Sequence, residues 1–167
     1  MKLWLIRHAE AELGSGAVPD RMRPLHPRGE QDGLRMADWL RSQPDPASWI
    51  WTSDALRARA TARFVAEGFA AARPTVVDDR RLYDAGPEAL LDVIRETPAD
   101  VVAAAVVAHN PGLTVLLNLL TGDKVTHNLS TFAVARLEVS GGWPAVRFGG
   151  GRLEQLTTPA EVREDSR

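Results

Sequence analysis

The stretch LWLIRHA, residues 3–9, places four apolar side chains in a row directly before an arginine and a histidine. A short apolar run at this place is typical of a central parallel strand that is buried on both of its faces. The run ends on Arg7 and His8, whose side chains can hold or attack an anion. This ending predicts a ligand site at the carboxyl end of the strand.

A second apolar stretch, residues 101–108, ends in a similar way. It contains only alanine and valine and is followed by HNPG at residues 109–112. In open α/β sheets, ligands bind in the crevice outside the carboxyl ends of the strands. Two apolar strands that each deliver a histidine to that edge predict one site containing both His8 and His109.

The composition limits the chemistry that is available. The chain has 167 residues, 44% of them hydrophobic and 25% charged, with a formal net charge of −2. This length fits one domain with a substantial core, and the charge predicts no general binding of polyanions. The sequence has no cysteine, which removes thiol catalysis, disulfides and cysteine-rich zinc sites.

The sequence also bears on location and partners. The apolar run at the N-terminus is too short for a signal peptide, and residues 113–120 are too few to span a bilayer. The tryptophans lack the basic interleaving of a surface that stacks nucleic-acid bases. We therefore expect a cytoplasmic protein that binds neither a membrane nor nucleic acid.

Strands alternate with helices along most of the chain, which predicts an α/β three-layer sandwich with a mostly parallel central sheet and helices on both faces. Residues 1–157 are predicted to form a single domain, followed by a polar tail over residues 158–167. Helices are predicted over residues 27–41, 54–69, 87–95 and 112–122. Strands are predicted over residues 3–6, 49–51, 74–77 and 101–108, with a terminal pair over 132–139 and 145–148.

In the helix predicted over residues 27–41, apolar side chains recur at three-residue spacing. Leu34, Ala37 and Leu40 follow this spacing. We expect these three residues to form the face that packs against the core.

Ser53 and Arg57 lie at the start of the helix that follows the strand at 49–51, another place where an anion site is expected. A helix N-terminus favours anions through its free N–H groups and its dipole, and the planar fork of arginine matches phosphate. We interpret Ser53 as a helix cap and Arg57 as a ligand-binding residue. Two arginines and two histidines at one edge would form a pocket for a tetrahedral anion.

Five short motifs follow one another along the chain: RHA at residues 7–9, LHPRGEQ at 25–31, SDALRARAT at 53–61, LYDA at 82–85 and VAHNPG at 107–112. In this order they resemble motifs of the histidine phosphatase superfamily, also called the phosphoglycerate mutase-like fold. The first resembles its Arg-His-Gly signature and the last its second-histidine segment. Each motif alone has little specificity, but together they are specific.

The resemblance points to the small branch of this superfamily, which includes the SixA-type phosphohistidine phosphatases. Members of that branch lack the insertions that cap the site in larger mutases and acid phosphatases, and this chain has little room for such insertions. Ala9 and Ala108 stand where glycine is common in the family, and His26 stands where threonine is frequent. We expect both alanines to be tolerated, while His26 lies either near the site or on the surface.

The resemblance implies a mechanism and a role for each site residue. His8 would be the nucleophile and form a phosphohistidine intermediate, with its second ring nitrogen held by a hydrogen bond, for example to a backbone carbonyl. Arg7, Arg57 and His109 would bind the phosphoryl oxygens, and a protonated His109 would add a cation. Water would then hydrolyse the intermediate, and the mechanism needs no metal or other cofactor.

The identity of a general acid is open. Asp84 is the first candidate, although a turn role is favoured for it, and Glu10 and Glu12 are weaker candidates. An imidazole leaves more easily than an alkoxide, so a phosphohistidine substrate has less need of an acid than an alcohol ester.

Three functions follow from these motifs. The preferred one is a phosphatase acting on a phosphohistidine-bearing protein. The second is a small-molecule phosphomonoesterase, and the third is a phosphate-binding or phosphoprotein-binding module that lacks turnover. The third is disfavoured because binding needs arginines and not a nucleophile such as His8. Mutase activity is the least favoured, because it needs a closed site that keeps water from the intermediate.

Overall fold

The computed structural model describes residues 1–165 of the chain, with side chains up to residue 163. Within this range the strands are β1 (Lys2–Arg7), β2 (Trp49–Thr52), β3 (Thr75–Asp78), β4 (Ala103–Ala108), β5 (Val134–Val139) and β6 (Gly151–Thr157). The helices are α1 (Pro27–Arg41), α2 (Leu56–Gly68), α3 (Pro87–Arg95), α4 (Gly112–Thr121) and α5 (Pro159–Asp165). Over the described residues, no helix combines the length and apolar character needed to cross a membrane.

The strands form one sheet in the order β3-β2-β4-β1-β5-β6. The first four in this order are mutually parallel, and β5 and β6 pair antiparallel at the other end. Helix α1 packs on α2 and α5, and α3 packs on α4. The predicted α/β architecture with a mostly parallel sheet and helices on both faces is confirmed.

The central strand β1 contributes to the core on both of its faces, as its apolar run predicts. Leu3 and Leu5 belong to the apolar cluster that contains the buried residues of α3 and α4. Trp4 and Ile6 belong to a second cluster, which contains those of α1 and α2. All four side chains are fully buried, so β1 is anchored from both layers and its carboxyl end is held in place.

The prediction of a strand over residues 145–148 is wrong. The antiparallel partner of β5 is β6, which begins at Gly151. Before it, Trp143–Ala145 forms a tight 3₁₀ turn. The indole of Trp143 is buried and its Nε1 donates a hydrogen bond to Val101 O at 2.7 Å. After this turn the backbone bonds away from β5, with Gly149 N donating to Leu119 O at 2.8 Å, and pairing with β5 begins at Gly151.

The expectation that Leu34 faces the core is also wrong, since 62% of its surface is exposed. Ala37 and Leu40 are buried as expected, but the residue next to Leu34, Gly33, makes the contact with α2. A Cβ atom on Gly33 would lie only 2.3 Å from Cε2 of Phe64. The missing side chain admits the aromatic ring, and this shifts the packed face away from Leu34.

The segment expected to be a polar tail contains helix α5, which packs on α1. Val162 is buried within the apolar cluster on that side of the sheet. Arg163 Nη2 donates to Asp32 Oδ1 of α1 at 2.9 Å. The described part of the segment is therefore attached to the body of the protein, while residues 166–167 of the expected tail lie outside the described residues.

Candidate active site

An open cleft of about 610 Å³ lies beyond the carboxyl ends of the parallel strands. It has the position at which α/β sheets bind ligands. The residues lining it include Arg7, His8, Arg57, Asp84 and His109, which are five of the residues that the sequence predicts for the site.

The pairing of β1 with β4 brings the two histidines together. The strands are parallel and in register, with Arg7 opposite Ala108. One residue further on, His8 N donates a hydrogen bond to Ala108 O at 3.1 Å. The ring centroids of His8 and His109 are 5.1 Å apart. The two strand endings that were recognised in the sequence therefore meet in one site.

The imidazole of His8 is held in a single tautomer. Its Nδ1 lies 2.7 Å from Ala9 O. A carbonyl oxygen only accepts hydrogen bonds, so we place the proton on Nδ1 and the lone pair on Nε2. Burial, followed by the positive charges nearby, lowers the pKa of His8 to about 3. The ring is neutral near pH 7, as a nitrogen nucleophile requires.

Thr61 of α2 fixes the backbone that orients this ring. Its Oγ1 accepts a hydrogen bond from Ala9 N at 2.9 Å and donates one to Arg57 O at 2.8 Å. The buried Ala9 fits at a position where glycine is common in the resembling family. Thr61 is part of the SDALRARAT motif, and the structure gives that threonine a definite contact.

His109 is also buried and neutral. Its Nδ1 lies 3.4 Å from Arg57 Nη2 and its Nε2 lies 2.7 Å from Ser53 Oγ. Because a guanidinium only donates, we assign Nδ1 as the acceptor and Nε2–H as the donor to Ser53. Burial first, and the charge of Arg57 second, lower the pKa of His109 to about 4. A protonated His109 is therefore disfavoured unless an anion occupies the cleft.

The structure gives Ser53 a different role from the predicted helix cap. Helix α2 begins at Leu56, and no side chain caps its N-terminus. Ser53 is fully buried, and its Oγ contacts His109 while accepting a weak hydrogen bond from Ala55 N at 3.3 Å. In the sequence, a serine that caps a helix and a serine that positions a histidine look the same, because both stand just before a helix start.

Arg7 and Arg57 both line the cleft and are held by hydrogen bonds to the protein. Arg7 Nη1 donates to Leu129 O at 2.6 Å. Arg57 Nη1 donates to Asp20 O at 2.7 Å, and its Nη2 donates to Asp20 Oδ2 at 3.1 Å. The Nε atoms of both arginines are buried and have no hydrogen-bond partner among the described residues. Buried donors that lack partners are costly, and the positive charge of the two arginines favours an anion in the cleft that they line.

Like Arg23, Asp20 is a charged residue of the cleft that the sequence did not predict. It lies in a stretch without periodicity and enters the cleft through a short 3₁₀ turn. Besides Arg57, its carboxylate accepts hydrogen bonds from the Tyr83 hydroxyl and from Arg23 Nε. These bonds, with that of Tyr83 the largest effect, hold the pKa of Asp20 far below its ordinary value. In the sequence, the only signal for a role of Asp20 is its position next to Arg21 and Arg23.

A family comparison adds to this geometry. The model of the histidine phosphatase superfamily (branch 1) matches residues 3–86, which is half of the chain.

The chain belongs to the histidine phosphatase superfamily.

Relatives extend the similarity over nearly the whole length. An uncharacterized protein of Mycobacterium tuberculosis (strain ATCC 25618 / H37Rv) is 29% identical over 163 residues, which cover 92% of this chain and 99% of that protein. A candidate phosphohistidine phosphatase SixA from Agrobacterium tumefaciens has a similar solved structure, with a TM-score of 0.82 and 23% identity over 95% of this chain and 97% of that one. A protein histidine phosphatase SixA complexed with tungstate has a TM-score of 0.78 and 23% identity, covering 97% and 99% of the two chains. The family and the fold together support a phosphatase.

The candidates for a general acid occupy different places. Asp84 lines the cleft in a turn, with a left-handed φ of 51° that aspartate tolerates. Glu10 also lines the cleft, and its Oε2 lies 3.7 Å from Arg28 Nε. Glu12 is not among the described lining residues, and its backbone oxygen accepts from Arg23. A role for Asp84 as an acid stays a prediction.

His26, which was expected either near the site or on the surface, lies at the start of α1. Its Nδ1 accepts a hydrogen bond from Arg28 N at 3.1 Å, which makes it the N-cap of that helix. It is absent from the described lining of the cleft. Over the part of the chain that the structure describes, no three His, Asp or Glu side chains are grouped so that they could hold a metal ion.

The lowered histidine pKa values predict how stability depends on pH. Between about pH 6.5 and pH 4 the unfolded chain binds protons at His8 and His109 that the folded protein excludes. The contribution of the two histidines to the free energy of unfolding is therefore at its maximum above pH 6.5. Below that pH, the free energy of unfolding falls by up to about 1.4 kcal/mol per pH unit for each histidine. Urea unfolding at pH 6.5 and pH 5 measures this loss.

The variant His8→Gln should lose roughly half of that pH dependence, because one of the two buried histidines is gone. The control His127→Gln, at an exposed position, should keep the dependence of the wild type. An unchanged pH dependence in His8→Gln would show that its imidazole is not held neutral by the fold.

Proposed function

We propose that the protein is a metal-independent phosphatase that forms a phosphohistidine intermediate on His8 and acts on phosphohistidine carried by a protein. The observation that carries this proposal is the His8 imidazole, which is neutral, buried and held through Nδ1 by the Ala9 carbonyl. Its Nε2 lone pair is available in a cleft that is also lined by Arg7 and Arg57.

In the first step, His8 Nε2 attacks phosphorus and the bond from phosphorus to the leaving group breaks. Forming a covalent intermediate divides one difficult hydrolysis into two easier steps. The phosphorylated ring is a cation that keeps its proton on Nδ1, where the Ala9 carbonyl accepts the hydrogen bond. The same contact that aims the nucleophile therefore stabilises the intermediate.

Arg7, Arg57 and His109 stabilise the charge on the transferring phosphoryl group. Donors that are already in place before the reaction cost no reorganisation when the charge develops. The guanidinium groups of Arg7 and Arg57, which line the cleft and are held by backbone oxygens, provide such donors. A bound phosphate would also favour protonation of His109, opposing the burial that keeps it neutral in the empty cleft. These charges take the role that a metal has in other phosphatases, so no step is assigned to a metal.

In the second step, water attacks the phosphorus of phospho-His8 and releases inorganic phosphate. The Nε2 lone pair returns to the imidazole, which is neutral again and ready for another turnover. The cleft is open to solvent, with Leu13 at its edge exposed over 90% of its surface. Access of water favours hydrolysis and disfavours a mutase, which must protect its intermediate.

The preference for a phosphohistidine substrate rests on the chemistry of the leaving group. An imidazole that carries a proton on its other nitrogen departs as a neutral molecule, whereas an alkoxide needs a proton donor. The likeness to a solved protein histidine phosphatase SixA that holds tungstate, a tetrahedral oxyanion, supports the same assignment. The open cleft leaves room for a histidine presented by a protein. The partner is then a phosphorylated protein, and a cytoplasmic location stays a prediction.

A small-molecule phosphomonoesterase is the second candidate. The observation that favours it is the presence of Asp84 and Glu10 in the lining of the cleft, because either carboxyl group could protonate an alcohol leaving group. A binding module without turnover is less well supported, since it has no need of a nucleophile oriented in the way that His8 is.

Removal of the nucleophile tests the proposed function. Purified wild-type protein in EDTA should release phosphate from a phosphohistidine-bearing protein, and His8→Ala should show no turnover, because Ala has no nitrogen to accept the phosphoryl group. Radiolabelled substrate should transfer its phosphate to the wild type and not to the variant. Turnover that survives in His8→Ala would rule out the intermediate, and phosphate binding without wild-type turnover would indicate a binding module.

Arg57→Ala tests the stabilisation of charge. Loss of one preorganised donor should lower kcat/KM by about 100- to 1,000-fold. Arg59→Ala is the matched control, because Arg59 lies on the same helix and pairs with Asp78 at the surface. Its kcat/KM should stay within about threefold of the wild type, as expected for an exposed ion pair. A mild effect of Arg57→Ala would contradict the role of this arginine.

Asp84→Asn separates the two candidate functions. If Asp84 is a general acid, the variant should lose at least about 100-fold in rate on an alkyl phosphate and keep its rate on a phosphohistidine-bearing protein. Parallel kcat/KM measurements on both substrates make the comparison. Wild-type rates on both would remove Asp84 as an acid and leave it as a turn residue.

A further inference from the structure

Asp20 is the carboxylate at the cleft that makes the most contacts with the site, and the proposed mechanism has not used it. Its turn contacts α2, and both its backbone oxygen and its Oδ2 accept hydrogen bonds from Arg57. Arg57 in turn reaches His109, which lies beside His8. Asp20 is therefore in direct contact with one of the groups proposed to hold the phosphoryl group.

The carboxylate of Asp20 has acceptor capacity that its protein contacts leave unused. A carboxylate offers about four lone-pair positions. Oδ2 receives hydrogen bonds from Arg57 and Tyr83, and Oδ1 receives one from Arg23. About one position on Oδ1 is left, and 53% of the side-chain surface is exposed. The group can therefore accept a further donor from a molecule in the cleft.

Asp20 is surrounded by cationic and donor groups from every element packed against it. Arg57 approaches from α2, Arg23 from its own turn, and Tyr83 from the segment before α3. Arg21 lies over the Tyr83 ring, 4.4 Å from its centroid. This environment lowers the pKa of Asp20 and keeps the carboxylate ionised. Such a group has no proton to give, so it cannot serve as a general acid.

We propose that Asp20 determines substrate specificity by accepting a hydrogen bond from the ring N–H of the phosphorylated imidazole. The site would thereby select phosphohistidine over phosphate esters. This inference rests on the proposed phosphatase function and names the contact that recognises its leaving group. The fixed negative charge matches a substrate ring that carries a positive charge, and the ring of an N-phosphorylated imidazole does so when its second nitrogen is protonated.

The step balances without a proton donor. The lone pair of His8 Nε2 forms a bond to phosphorus, and the bond from phosphorus to the substrate ring nitrogen breaks. The electron pair of that bond stays on the ring nitrogen, and the leaving imidazole is neutral because its other nitrogen keeps its proton. Asp20 accepts the hydrogen bond from this N–H throughout, which favours the protonated form of the substrate that reacts.

An ester substrate gains nothing from this contact. The leaving group of an ester has no N–H that could donate a hydrogen bond to Asp20, and its oxygen becomes more negative as the bond to phosphorus breaks. A carboxylate nearby then acts by like-charge repulsion. The same residue therefore assists one class of leaving group and opposes the other, which is how a single charge can provide selectivity.

Asp20→Asn tests the proposal, because asparagine keeps the size of the side chain and leaves the bond from Arg57 to the backbone oxygen in place. We expect kcat/KM on a phosphohistidine-bearing protein to fall roughly 10- to 100-fold, the value of a hydrogen bond to a charged group. On an aryl phosphate, kcat/KM should stay within about threefold or rise. Asp78→Asn is the matched control, since Asp78 also pairs with an arginine of α2 but lies outside the cleft.

The pH dependence of kcat distinguishes direct contact of Asp20 with the substrate ring from an indirect effect of Asp20 through Arg57. A carboxylate next to the substrate ring keeps the ring protonated to higher pH, so the alkaline limb of kcat on phosphohistidine should move to lower pH in Asp20→Asn. The profile on the aryl phosphate should not move. Circular dichroism and thermal unfolding check that the variant folds, which is expected for a half-exposed side chain on a turn.

Two results would overturn the role of Asp20 alone. Equal losses on both substrates would mean that Asp20 only positions Arg57, and unchanged rates on both would mean that it does not contact the leaving group. A wild-type protein that hydrolyses the aryl phosphate and leaves the phosphohistidine-bearing protein intact would instead overturn the proposed substrate together with this inference. The outcomes for the site and for the substrate are therefore distinct.

Discussion

The parallel, in-register pairing of β1 with β4 is the constraint on which the site depends. Each strand ends on a histidine-bearing segment, and only a parallel arrangement carries both endings to the same edge of the sheet. Apolar residues buried on both faces hold β1 in place, so the histidines sit on rigid backbone. A slip of the register by one residue would turn the strand's side chains to the opposite faces and separate the two rings.

Burial gives this site its chemical character. Two histidines lie next to two arginines, and the burial of the two rings together with the positive charge nearby keeps both imidazoles neutral. A neutral His8 has the lone pair that a nucleophile requires, while the positive charge of the arginines that line the cleft provides the attraction for an anion. The same arrangement thus prepares the site for a phosphoryl group, whose negative charge is complementary to that of the arginines.

Much of this organisation can be read from the sequence, because local patterns report on local structure. The helices α1 and α3 begin and end where their prolines and periodicity predict. The predictions were wrong where a contact between residues far apart in the chain determines the local structure. Leu34 is exposed because Gly33 admits a ring from α2, and Trp143 turns the chain by bonding to Val101. Neither partner is visible from the residues next to it in the chain.

By itself, the sequence determined the α/β class and the two strand endings, and it predicted Arg7, His8, Arg57 and His109 as candidate site residues, because short motifs and apolar runs report on local structure. The tertiary structure alone decided which nitrogen of His8 is free, and it revealed Asp20 at the cleft. Tautomer and charge state depend on burial and on hydrogen bonds between residues far apart in the chain. Those quantities exist only after the strands and loops have been brought together.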